Sequence, residues 1–123
     1  MIAADSSVWV DFFKGESNAY SEQLEQSLKQ GILVIPPLIL FEILSAPGIT
    51  SEASALIQGL PRLIHHSGYW ERAAHMRRTI LRKAQRARSM DCLIAQSCID
   101  EDVPLITRDA DFRHFKKFGL KLV

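Results

Sequence analysis

The sequence predicts an α/β fold in which a parallel sheet of four to five strands lies between two layers of helices. Three observations point to it. Short apolar runs alternate with capped or amphipathic segments along the chain, the order that a parallel sheet covered on both faces requires. One run, Ile32–Ile35, is unbroken and rich in β-branched residues, as in a strand buried on both sides. Tyr69, Ala73, Met76, Ile80, Ala84 and Ala87 recur at intervals of three and four, the apolar stripe of a long helix.

The elements follow in order. Ile2-Ala3-Ala4 reads as a first strand ending at Asp5. Ser6 or Ser7 can cap a short helix through Phe13, closed by Gly15, and Asn18 can cap a second that Gly31 ends. After strand 32–35, Pro36 and Pro37 open a helix that carries Glu42 and stops before Pro47. Ser51–Gly59 reads as a helix and Leu63–His66 as a strand. The striped helix runs from Tyr69 to Arg88, and Ser89 can cap the next, Met90–Ile99. "VPLIT" (103–107) is a strand, Asp109–Lys116 a short helix, and Lys121–Val123 an edge strand.

A chain of 123 residues fits one domain, 1–123, with no linker or repeat. A net charge of +1 does not by itself nominate a nucleic-acid partner. No segment reads as a leader or a membrane span. Cys92 and Cys98 lie six apart, about 9 Å along a helix axis, too far for a disulfide. Two free thiols suit a reducing cytoplasm.

The acids carry the functional reading. Asp5 follows the first strand, and Asp109 follows "VPLIT" after Arg108. Ligands bind beyond the carboxyl ends of the strands in such sheets. Asp91 falls in the first turn of its helix, and Glu42 lies among Leu40, Phe41, Ile43 and Leu44. An unpartnered carboxylate in apolar surroundings is costly, and converging carboxylates repel. A hard divalent cation, Mg²⁺ or Mn²⁺, resolves both conflicts and suits phosphodiester hydrolysis. Without metal, Glu42 is expected to be the acid whose pKa rises most. The plainer alternatives stay open at this point: Asp5 and Asp109 as helix caps, Asp91 as a helix-dipole partner, and Asp111 chiefly as a stabiliser of a helix start.

Four stretches in order, "AADSSVWVDFF", "PPLILFEIL", "MDCLIAQSC" and "VPLITRDADF", resemble PIN-domain ribonucleases, and more closely the VapC-type toxins of toxin–antitoxin pairs. The resemblance spans nearly the whole chain and implies a three-layer α/β/α PIN-like fold. By resemblance, Asp5, Glu42, Asp91 and Asp109 are the family's four acidic positions, which bind Mg²⁺ or Mn²⁺ and activate water against RNA. Ser6 and Thr107 match polar positions supporting the metal shell, with Asp111 as a further supporting candidate. The family also implies a homodimer and a cognate antitoxin whose tail enters the cleft, with operator DNA met only through that complex. The third stretch departs from the common D-A-L-I-A-A at Cys92 and Gln96; the latter needs a polar neighbour or solvent.

Arg72, Arg77, Arg78, Arg82, Lys83, Arg86 and Arg88 crowd one segment, either as a solvated helix face or as a track for phosphates. Arg86, Arg88 and Arg108 are the candidates for RNA contact. The four histidines lack zinc-site spacing. The competing function is a catalytically weak PIN-like module that binds RNA or forms complexes. A phosphoacceptor on a flavodoxin-like sheet would want a lysine after the late strand, where Thr107-Arg108-Asp109 stands.

Overall fold

The computed structural model describes all 123 residues. Strand β1, Ala3–Ala4, runs parallel to β2, Leu105–Ile106, with Ala3 opposite Leu105 and Ala4 opposite Ile106. Single parallel bridges join Ile2 to Leu33, Ile35 to Arg62, and Leu105 to Leu122. The extended segments near residues 62, 33–35, 2–4, 105–106 and 122 therefore lie side by side in that order.

The expected sheet of four to five strands is thus corrected to a two-strand ladder continued by isolated bridges. Prolines account for much of the shortness. Pro36, Pro61 and Pro104 abut these segments and have no N–H to give a ladder. Pro104 and Pro61 still offer their carbonyls, which accept from Ala3 at 2.9 Å and Ile35 at 2.8 Å. The strand expected over Leu63–His66 reduces to the Arg62 bridge and one bond, from the Leu63 N–H to the Ile35 carbonyl.

Six α-helices and one 3₁₀ helix surround this sheet. Helix α1 spans Ser6–Phe13, and its cap is Asp5 rather than Ser6 or Ser7. Helix α2, Ala19–Lys29, starts at an Asn18–Ser21 capping box. Helix α3, Pro37–Leu44, opens on proline as expected, and α4, Ser51–Gln58, is capped by Thr50. Helix α5, Tyr69–Arg82, is six residues shorter than its stripe suggests. Ala84 takes the left-handed conformation, φ 57°, which a continuing helix does not admit. Ala87 is buried from the following loop, held there by the Arg77 Nε–H, which donates to its carbonyl at 2.9 Å.

Helix α6, Ser89–Asp100, begins at Arg88 with no side-chain cap, so Ser89 is its first residue and not its cap. Residues Ala110–Phe118 form the 3₁₀ helix, capped by Asp109. One apolar core takes side chains from both strands and every helix, among them Trp9, Leu24, Ile39, Ile57, Ile80, Ile94 and Phe112. Helices α1 and α3 pack against each other, as do α3 and α6, so the starts of α1 and α6 and the body of α3 converge at one end of the β1–β2 pair. Cys92 and Cys98 are both free and buried. No helix is long and apolar enough to cross a membrane.

Candidate active site

Beyond the carboxyl ends of β1 and β2 lies a hollow of about 380 Å³ lined by Asp5, Ser6, Ser7, Glu42, Arg88, Asp91, Arg108 and Asp109. It contains no apolar lining residue. The four acids expected to meet therefore do meet, each delivered by a different element.

Asp5 is the innermost, 7% exposed. Its Oδ1 accepts the Ser6 N–H at 2.8 Å, and its Oδ2 accepts the Thr107 hydroxyl at 3.1 Å. Thr107 Oγ1 in turn accepts the Asp109 N–H at 3.1 Å, linking the two strand ends. Asp109 Oδ1 accepts the Asp111 N–H at 2.9 Å and so starts the 3₁₀ helix. Asp5 and Asp109 thus cap their helices and line the hollow with the same side chains.

Crowding is written into the proton affinities. Burial pushes the Asp5 carboxyl up, and nearby Asp109 adds to this against the hydrogen bonds from Ser6 and Thr107. Burial also raises Glu42, with repulsion from Asp5 second; its Oε1 is buried and has no hydrogen-bond partner. Asp91 rises furthest, to about 6, through burial and then repulsion from Asp5, Asp109 and Glu42, with Arg88 opposing. The expectation that Glu42 would rise most is corrected. Glu42 stands near one other acid that matters to it, whereas Asp91 feels all three.

No group of three or more His, Cys, Asp or Glu side chains is arranged tightly enough to hold an ion as it stands. The carboxylates ring a hollow rather than converge on a point. Their chemistry nevertheless fits a hard divalent cation: the donors are oxygens, Glu42 Oε1 lacks a partner, and mutual repulsion favours whatever neutralises it.

The remaining candidates divide. Ser6, Arg88 and Arg108 line the hollow, and Thr107 supports Asp5. Arg86 and Asp111 do not line it; they face each other at 3.7 Å. Gln96 finds its polar neighbour in Asp100, to which it donates at 2.8 Å. His66 pairs with Glu101, and His65 stacks on Tyr69. Sequence reasoning missed Asp11. It is 3% exposed, pairs with Arg108 Nη1 at 2.7 Å, and accepts from Asn18 at 3.2 Å. The signal was available: like Glu42, it is a lone acid in a run of apolar residues, "VWVDFF".

Beside the hollow runs a larger groove of about 790 Å³, lined by apolar residues including Val10, Phe12, Phe13, Ile43, Ile49 and Leu56. Ser6 and Glu42 border both spaces.

Comparison with known proteins agrees with this architecture. The family model "PIN domain" matches residues 2–118. Ribonuclease VapC11 of Mycobacterium tuberculosis and VapC ribonuclease Mb1587 of Mycobacterium bovis are each 30% identical over 120 residues, 91% of this chain and 89% of theirs. A crystal structure of VapBC2 from Rickettsia felis, bound to a DNA fragment from its promoter, superposes with a TM-score of 0.74 at 20% identity, covering 100% of this chain and 98% of that one. That last likeness is one of fold. With the matched span, the identity of the relatives and the shared fold together, the chain belongs to the PIN-domain family and is a homologue of its VapC-type toxin–antitoxin ribonucleases.

Proposed function

We propose that the chain is a Mg²⁺- or Mn²⁺-dependent endoribonuclease that hydrolyses RNA phosphodiester bonds as the toxin of a toxin–antitoxin pair. The observation that carries this is the coupling of Asp91 to Asp5, Asp109 and Glu42 around one polar hollow. Asp5, Glu42, Asp91 and Asp109 would hold the cation, which supplies an activated water and polarises the phosphate. Ser6 N–H and Thr107 fix the Asp5 carboxylate, so that its oxygens need no reorganisation when charge develops. Arg88 and Arg108 at the wall of the hollow offer guanidinium groups to the substrate's phosphates.

The apolar groove that shares Ser6 and Glu42 with the hollow supports a protein partner lying against the site. The cognate antitoxin is that partner in this reading, operator DNA is met through the complex, and the toxin is a homodimer. Two free buried thiols accord with a cytoplasmic location.

The test is cleavage of a mixed RNA substrate by antitoxin-free protein, with Mn²⁺ and with EDTA. We expect cleavage only with metal, and a loss on the order of 100-fold or more in Asp5→Asn. That variant keeps an acceptor for the Ser6 N–H and therefore keeps its fold. A folded Asp5→Asn protein that cuts like the wild type overturns the site assignment. A wild-type protein that binds RNA but cuts none with Mn²⁺ returns the reading to a binding module.

A further inference from the structure

Arg108 sits beside four carboxylates yet pairs with none of them. It adjoins Asp109 in sequence and lines the same hollow as Asp5, Glu42, Asp91 and Asp109. Its ion pair goes instead to Asp11: Nη1 stands 2.7 Å from Oδ2, and Nη2 donates to Oδ1 at 3.3 Å. Asp11 lies on the buried side of α1, and the Asn18 amide donates to its Oδ2 at 3.2 Å. It does not line the hollow. The Arg108 side chain remains 46% exposed, so part of its fork is still open to a ligand.

This arrangement solves a conflict that the composition of the hollow creates. A free guanidinium next to a cluster of carboxylates is attracted to them, and in that position it competes with any cation for the same oxygens. Tying both terminal nitrogens of Arg108 to a carboxylate outside the hollow removes the competitor and keeps its positive charge at the wall. Bidentate pairing also fixes the plane of the fork, which a lysine's point charge would not do. Asp11 itself is anchored by the rigid body of α1, whose first residue bonds Asp5.

We propose that Asp11 is a positioning residue: it holds Arg108 off the four acids, which leaves their oxygens open to the divalent cation and points the free edge of the guanidinium at an incoming RNA phosphate. This rests on the proposed function, on its cation site for one half and on its RNA substrate for the other. The cation half is read without RNA.

The experiment is a calorimetric titration of Mn²⁺ into metal-free protein, paired with RNA cleavage kinetics, on Asp11→Asn, Arg108→Gln and the double variant. In Asp11→Asn the released arginine is expected to weaken Mn²⁺ binding roughly ten-fold or more, the size of effect typical of residues that orient a metal site. Adding Arg108→Gln to it removes the competitor and restores wild-type Mn²⁺ binding, while the KM for RNA stays raised about ten-fold for want of a charged hydrogen-bond donor. A merely structural role for Asp11 predicts the opposite, with no rescue by the second change. Wild-type Mn²⁺ affinity in a folded Asp11→Asn protein overturns the proposal. So does weakened Mn²⁺ binding in the double variant, which leaves no charge unpaired and stands in for the single variant if that does not fold. If the wild type binds Mn²⁺ but cuts no RNA, the ribonuclease reading falls and the Mn²⁺ comparison still decides the role of Asp11.

Discussion

Asp5 shows how one side chain can satisfy two demands at once. Its Oδ1 starts α1 through the Ser6 N–H, and its Oδ2 takes the Thr107 hydroxyl from the neighbouring strand end. Cap and site were alternatives in the sequence because residue type and position fit both; the structure shows that a capping Asp5 can also line the hollow. Glu42 was legible for a different reason, since an acid among four large apolar neighbours calls for a partner. Its Oε1 is buried without a hydrogen-bond partner, and Ser6 offsets the rise in its proton affinity only in part. The order of proton affinities was not legible, because it depends on distances between elements far apart in the chain. Neutralising either raised acid should relieve the crowding. Glu42→Gln and Asp91→Asn are each expected to raise the melting temperature of the EDTA-treated protein at pH 7 while abolishing RNA cleavage. A lower melting temperature in both would show that these carboxylates stabilise the fold, contrary to the repulsion described.

Among the elements, helices were read better than strands. Caps and breakers act within a few residues, so Asn18, Gly31 and Pro37 mark α2 and α3 correctly. Strand pairing is settled by distant partners, and the two-residue β1 and β2 sit a hundred positions apart. The α5 error has a definite cause: Ala84 and Ala87 continue the stripe by spacing, but the backbone has already turned at Ala84. The opposite end of α5 depends on Gly68, φ 82°, where an added Cβ would stand 2.7 Å from Arg72 Nη1. That nitrogen donates to the Ser67 carbonyl, while the same guanidinium grips Asp100 on α6. Gly68→Ala should therefore cost about 1–2 kcal/mol from the left-handed conformation alone, with a further loss if Arg72 is displaced. Urea unfolding measures it, and an unchanged midpoint would show that the α5 entry tolerates a side chain.

For the molecule as a whole, the acid hollow sets how stability responds to pH and metal. Asp5, Glu42 and Asp91 bind protons more tightly folded than unfolded. Stability should therefore fall as pH rises from their unfolded values, ~4, through the folded ones, about 6 for Asp91. Asp100 is lowered by its bonds from Arg72 and Gln96, against the effect of burial, so its contribution is lost as pH falls through its folded value. The metal-free protein is expected to melt highest in mildly acid solution, and saturating Mg²⁺ should flatten the decline between pH 5 and 7 by holding the ionised forms. Melting curves at three pH values, with Mg²⁺ and with EDTA, test this; a metal-free protein that gains stability from pH 5 to 7 would contradict it. The placing of the acids has one more consequence, and it concerns time. They stand at positions 5, 42, 91 and 109, and β1 finds its partner only when residues 105–106 exist. At roughly 5–20 residues per second, a ribosome needs on the order of 5–20 s to travel from the first acid to the last. Throughout that interval the nascent chain has carboxylates but no hollow, so whatever chemistry the site performs is withheld until the last of its four acids has been made.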